Sequence, residues 1–137
     1  MKFNFTSQIC TSRSQSERLL ALGLKKETAD MCINPSRELI YPFSYSEALT
    51  LYDNYGLGKI MEKDLLLPAW SLHRLIEICG IDRMPISFHK KGKVRIRVNH
   101  IHPTHEGRSG YNHYNSLIDC IEWLIKEGYF NKEYLEK

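Results

Sequence analysis

The sequence has no long apolar run and no motif that pairs its cysteines. No stretch approaches the length of a membrane-spanning helix, and residues 1–10 lack the continuous apolar region of a signal peptide. The four cysteines are scattered, without a CxxC pair or a short zinc-type spacing, so we expect reduced, partly buried thiols. These absences predict a cytoplasmic protein without a membrane partner.

The motifs of several enzyme classes are missing as well. There is no G-x-S-x-G nucleophile elbow, no phosphate-binding loop, no dinucleotide fingerprint and no H-E-x-x-H pair. Cys79 and Cys120 fall on or beside apolar helix faces, where a cysteine behaves as a small hydrophobic residue. No residue therefore stands out as a catalytic nucleophile.

What the chain does contain is ordinary for a globular protein. Its 137 residues are 42% hydrophobic and 26% charged, which is enough for one domain, 1–137, to bury its own core. The formal net charge of +3 permits contact with an acidic partner. It falls short of the strongly basic character expected of a dedicated nucleic-acid binder.

Helical periodicity recurs four times along the chain. Capping signals of the form S-x-x-E begin two of these segments, at Ser14 and Ser44. We place Pro68 in the first turn of the third helix, where its missing N–H is tolerated, and we expect Ser116 to cap the fourth. The predicted helices cover roughly 14–23, 45–54, the segment from Pro68 to Cys79, and the segment between Ser116 and Gly128.

Strand periodicity is limited to one part of the chain. Residues 85–88 and 93–98 alternate polar and apolar side chains, with a Lys-Lys-Gly loop at 90–92 between them. Residues 103–113 are polar and are predicted to form a loop. Further strands are possible within 1–10 or 36–43. The predicted fold is a two-layer α+β domain in which an antiparallel hairpin or small sheet packs on amphipathic helices.

Three segments, in this order along the chain, carry a resemblance to a known group of proteins. They are QSERLLALGLKKETADM at 15–31, LPAWSLHRLIEI at 67–78 and SLIDCIEWLIKEGYFNKEYL at 116–135, of which TADM and PAWSL are fairly specific. They resemble a family of small proteins from Bacteroides-type genomes and their mobile or prophage-like elements, a family without an assigned activity. The resemblance implies an intracellular α+β domain of bacterial or phage origin and no catalytic residue.

Histidines are concentrated in one part of the sequence, since five of the six fall within 25 residues. On a strand, His100 and His102 would point to the same face and could share a zinc ion. His105, Glu106 or His113 could complete a tetrahedral site. The arrangement would then support a metal-bound water and a small metal-dependent hydrolase.

Strand parity favours a different interpretation of this histidine pair. The alternation places Val94, Ile96 and Val98 on the apolar face, and its continuation adds His100 and His102 to that face. A bulge or a strand end near Asn99 would instead reset the register. Histidines at the edge of a core, without a metal, are therefore the favoured interpretation, and no cofactor is expected. Zinc at His100, His102 and His105 is the alternative.

The opposite face of the same strand is basic. Lys93, Arg95 and Arg97 repeat at about 6.6–6.8 Å, which is comparable to the phosphate spacing of a single nucleic-acid strand. A solvated outer face is the simpler interpretation. The alternatives are a weak nucleic-acid-binding module or a surface for an acidic protein. The leading prediction is a non-enzymatic accessory or interaction protein of bacterial or phage origin.

Overall fold

Two three-stranded antiparallel sheets and the helices beside them make up an α+β fold. The architecture comes from a computed structural model, which describes residues 7–36, 38–48, 50, 66–80, 86–88, 93–97, 104–107 and 112–136. Within those ranges, no helix is long and apolar enough to cross a membrane. The predicted loop at 90–92 lies outside the described residues.

The first sheet is built from three short strands. They are β1 (Met31–Asn34), β2 (Leu39–Tyr41) and β3 (Leu67–Ala69), in the spatial order β2-β1-β3. Ile33 of β1 pairs with Ile40 on one side and with Leu67 on the other. The possible strand within 36–43 is confirmed by β2, whereas residues 7–10 form no strand.

Pro68 lies in strand β3, so its predicted place in the first turn of a helix is wrong. Among the described strands β3 pairs only with β1, and such an edge position tolerates a residue that cannot donate a backbone hydrogen bond. The helix, α2 (Leu72–Cys79), begins four residues later. Ser71 caps it by accepting a hydrogen bond from the Arg74 N–H at 3.1 Å, and Gly80 ends it with a φ of 83°.

Helix α1 (Arg13–Ala21) begins at a capping box two residues before the predicted one. The side chain of Ser12 accepts a hydrogen bond from the Gln15 N–H, and Gln15 Oε1 accepts one from the Ser12 N–H. Glutamine serves at the third helical position as well as glutamate, which is why the S-x-x-Q pattern competes with S-x-x-E. Farther along the chain, residues 45–48 and 50 are helical, as predicted.

The second sheet is made of β4 (Ile86–Phe88), β5 (Val94–Arg97) and β6 (Thr104–Gly107), with β5 in the middle. Strands β4 and β5 confirm the predicted hairpin. The prediction of a loop over 103–113 is wrong, because residues 104–107 complete this sheet. The sequence THEG has no apolar alternation, so its strand is defined by backbone pairing to β5 rather than by side-chain pattern.

The C-terminal helix, α3 (His113–Lys126), also begins earlier than predicted. Asn112 caps it, accepting hydrogen bonds from the N–H groups of Tyr114 and Asn115. Ser116, the predicted cap, is a fully buried residue inside the helix. Gly128 follows the helix with a φ of 79°, and Asn131 caps a short 3-10 turn at Lys132–Tyr134.

The main core lies where α3 packs against the second sheet. Val94 and Ile96 of β5 and Leu117, Ile121 and Leu124 of α3 are completely buried. Helix α1 is tied to α3 by Arg18, whose Nη2 lies 2.6 Å from Asp119 and 2.7 Å from Glu122. This packing leaves the first sheet to form its own, smaller clusters.

Candidate functional site

The predicted histidine site falls largely outside the described residues. His100 and His102 lie there, while His105 occupies the β6 position that pairs with Ile96. His113 begins α3, with its ring edge-on to Phe88 at 5.1 Å. Within the described ranges, no three residues among His, Cys, Asp and Glu form a group that could hold a metal ion. The zinc site and the hydrolase built on it stay predictions.

The basic strand face has the predicted parity. Val94 and Ile96 are fully buried, whereas Arg95 is exposed and Lys93 is half-buried. The register places Arg95 between Ser87 of β4 and Glu106 of β6. Nucleic-acid or acidic-protein binding by Lys93, Arg95 and Arg97 stays a prediction.

All four cysteines are free thiols and all are buried. Burial raises the pKa of Cys10 to about 11, with a smaller contribution from Asp30, and raises the pKa of Cys32 to about 12. Burial also raises the pKa of Cys79. A thiolate is the reactive form of cysteine, so these three residues are poor nucleophiles near neutral pH.

A large apolar groove lies between the N-terminal segment 7–13 and the β1–β2 hairpin. Its volume is about 470 Å³. Ile33 and Ile40, which pair across the two strands, share the sheet face that borders it. Three large apolar side chains at the groove are exposed: Ile9 (60%), Leu39 (43%) and Ile40 (47%). Neighbouring exposed apolar residues of this size are a common mark of an interaction surface.

One wall of the groove is held in place by hydrogen bonds to the rest of the fold. The Gln8 side chain donates to the Cys10 carbonyl at 2.7 Å and to Gln15 Oε1 at 2.6 Å. Tyr114 Oη donates to the Gln8 carbonyl at 3.1 Å, and the Thr11 N–H donates to the Trp70 carbonyl at 2.9 Å. Because these bonds anchor the wall on both sides of Ile9, the groove is formed before anything binds it.

The other wall is strand β2, an edge strand of the first sheet. Among the described strands it pairs only with β1. Backbone groups on the outer edge of such a strand can pair with an added strand. The turn that leads into β2 contains Glu38, the one described non-glycine residue with a positive φ, at 55°. The strand that lines the groove through Leu39 and Ile40 is therefore also an edge strand among the described residues.

Two charged side chains line the groove. Arg13, on the first turn of α1, is paired with Glu17 through its Nε at 3.0 Å. Glu38 is exposed and has no ion-pair partner among the residues that the structure describes. The groove thus combines an apolar floor, one compensated positive charge and one carboxylate at the β1–β2 turn.

A second, smaller pocket of about 310 Å³ lies between α2 and the C-terminal turn. It is lined by side chains of both charges, including Lys25, Arg74 and Glu77. Arg74 Nε lies 3.4 Å from Glu77 Oε1, so a cation and an anion of the chain already face each other there. The apolar groove is the better candidate for a binding site.

Sequence reasoning missed the groove. Residues 33–44 contain two prolines and only a short apolar run, Leu39-Ile40-Tyr41, which does not alternate. The one available signal was that Leu39, Ile40 and Tyr41 lie next to turn-forming residues. A strand this short is not expected to have both of its faces buried. No pattern in the sequence connects them with Ile9.

The chain was compared with protein-family models, curated proteins and solved structures, and nothing in any of the three matches it.

Proposed function

We propose that this chain is a non-enzymatic interaction protein that binds an extended, apolar peptide segment of a protein partner in the groove between residues 7–13 and β2. The single observation that carries the proposal is the exposure of Ile9, Leu39 and Ile40 around one preformed, apolar groove. Covering such side chains is favourable by about 25 cal/mol per Å² of apolar area removed from water.

The extended form of the ligand follows from the edge strand. A peptide that adds to the outer edge of β2 forms main-chain hydrogen bonds, and its alternate side chains point to the sheet face that carries Ile40. A helical ligand could fill the groove but would leave that edge unpaired. Strand addition therefore uses both features of the site.

The wall segment supports the same proposal through preorganisation. Gln8 is fixed to Gln15 and Asn112, and Tyr114 holds the Gln8 backbone, so binding does not have to order this wall. Groups that are ordered before binding cost less entropy when the complex forms.

The test uses a pool of capped octapeptides in which valine, isoleucine or leucine alternates with threonine or glutamine. We expect saturable binding by fluorescence anisotropy, with the largest amide chemical-shift changes at Leu39–Tyr41 and residues 8–10. Ile40→Ser should weaken binding by about tenfold, which corresponds to about 1.4 kcal/mol. Tyr129→Ser removes an equally exposed apolar side chain away from the groove and should leave binding unchanged.

Two further measurements distinguish strand addition from other modes of binding. A peptide with a central proline should bind far more weakly, because proline cannot donate a strand hydrogen bond. If none of the peptides binds at about 1 mM, where only interactions weaker than about 4 kcal/mol would escape detection, the proposal is wrong. A concentration-dependent dimer that is abolished by Ile40→Ser would replace the peptide with a second copy of this chain.

A further inference from the structure

We infer that the peptide bound in the groove carries a lysine or arginine beside Glu38, and that Glu38 selects it. The inference depends on the proposed function, since it names the charge of the same ligand. Glu38 lines the groove at the β1–β2 turn, next to Leu39 and Ile40. Its carboxylate would contact a residue at one end of a peptide strand that lies along β2.

Charge balance within the groove supports a cationic ligand. The two charged residues in the lining are Arg13 and Glu38. Arg13 forms an ion pair with Glu17, with 3.0 Å between Nε and Oε1, whereas Glu38 has no ion-pair partner within the described ranges. Among the described residues that line the groove, the charge without an ion-pair partner is therefore negative, even though the whole chain carries a formal +3. A basic residue on the ligand would complement it.

The backbone at Glu38 is a second, independent observation. Its φ of 55° lies in the left-handed region, which costs a residue with a Cβ about 1–2 kcal/mol relative to the right-handed one. Glycine or asparagine would occupy this turn more cheaply. The side chain at this strained position is exposed and lines the groove. Residues held in such conformations cluster at binding sites.

The expected contribution of the pair is modest. An ion pair at the rim of an interface mainly adds selectivity and association rate, and salt screens it. We expect the basic residue to strengthen binding about three- to tenfold at low ionic strength, with most of the difference lost at about 1 M salt, where the Debye length is about 3 Å.

The experiment compares three octapeptides that share the apolar alternation and differ at one terminal position, which is lysine, glutamine or glutamate. Each is placed in turn at the N-terminal and the C-terminal end, because the direction of the added strand selects one end. The wild-type protein should prefer lysine over glutamine at one end only and should bind the glutamate peptide least. Glu38→Gln should remove that preference, and Glu38→Lys should reverse it.

Glu133→Gln is the matched control, since it removes an exposed carboxylate that does not line the groove and should keep the lysine preference. Thermal melts of each variant check that the fold is intact. If all three peptides bind equally, the inference is wrong while the proposed function stands. If the preference persists in Glu38→Gln, another residue selects the cation and the assignment to Glu38 is wrong. If no peptide binds, it is the proposed function that fails.

Discussion

The two sheets of this fold differ in how deeply their apolar residues are buried. In the second sheet, Val94 and Ile96 are completely covered, and the surrounding core includes the apolar face of α3. In the first sheet, Ile33 is nearly buried while its pairing partner Ile40 is 47% exposed. Isoleucine is thus part of the core in the central strand of the second sheet and part of the surface in the edge strand β2 of the first.

The difference comes from what each sheet packs against. A 14-residue helix covers the second sheet. On the face of the first sheet that carries Ile33, the irregular segment around Cys10 packs on Ile33 and Ala69, while Ile40 stays exposed. A small sheet with exposed apolar residues at one end buries less apolar area on folding, and it leaves apolar surface that a ligand can cover. Stability should therefore reside in the second sheet and binding in the first.

The largest expected effect on stability distinguishes the two sheets through a matched pair of substitutions. Ile96→Ala leaves a cavity in the main core and should lower the free energy of unfolding by about 2–5 kcal/mol. Ile40→Ala removes the same atoms from an exposed position and should change it by about 0.5 kcal/mol. Urea denaturation followed by tryptophan fluorescence measures both. Equal losses would mean that the groove is part of the core, and the contrast between the sheets would fail.

A buried hydrogen bond connects the first sheet with the main core. Trp70 follows β3 and is fully buried, and its Nε1 donates to Thr28 Oγ1 at 3.0 Å. Thr28→Val keeps the shape but leaves that donor unpaired, which should cost about 1–3 kcal/mol. Thr50→Val is the control, since it removes an exposed hydroxyl bonded to the Ser46 carbonyl. Hydrogen exchange should show whether the first sheet then opens before the second.

Stability should also fall at alkaline pH through the thiols beside the first sheet. The ordinary pKa of a cysteine here is 9.0, and burial raises that of Cys10 to about 11 and that of Cys32 to about 12. Below pH 9 both states are protonated, so the contribution of these thiols is fully present. Above it the unfolded chain releases its protons first, and the contribution is lost as pH rises through the folded pKa values.

The expected size is on the order of 1 kcal/mol for each thiol between about pH 8 and pH 10. Chemical denaturation of the wild type and of Cys10→Ala at matched pH isolates one thiol from the other titrating groups. The variant should lose less stability over this interval. Parallel curves for the two proteins would show that Cys10 is already accessible to solvent in the folded state.

The fold could be predicted from the sequence wherever periodicity was strong. Val94 and Ile96 alternate with charged residues, and Leu72, Leu75, Ile76 and Cys79 form a helical stripe, so β5 and α2 were found. Helix starts were less predictable, because several residues in a row can cap. Ser12 competes with Ser14, and tertiary contacts decide between them: Gln15 at the third position of the Ser12 box also bonds Asn115 in α3.

The groove could not be predicted, because it depends on long-range contacts that leave no local pattern. Gln8 is positioned by Asn112 and Tyr114, more than 100 residues away in sequence. Pro68 illustrates the same limit, since the early turn of a helix and an edge strand both tolerate proline, and only the pairing with Cys32 separates them. Polar strands such as β6 are defined entirely by their neighbours.

The smallest effect concerns Glu38, where stability and binding should separate within the first sheet. Glu38→Gly relieves the left-handed backbone but loosens the unfolded chain, so the net gain in stability should be only about 0.5 kcal/mol. Gly80→Ala is the reverse case, because it places a Cβ at a φ of 83° and should destabilise the protein by about 1 kcal/mol. Thermal melts measure both changes.

The same Glu38→Gly protein should also lose its preference for the lysine peptide, because the carboxylate is gone. A variant that is slightly more stable yet less selective would mean that the Glu38 side chain contributes to ligand selection and not to the stability of the fold. If Glu38→Gly is instead clearly less stable than wild type, the glutamate side chain contributes to folding. Its place in the left-handed region would then have a structural explanation, and the first sheet would resemble the second more closely than the exposure of Ile40 suggests.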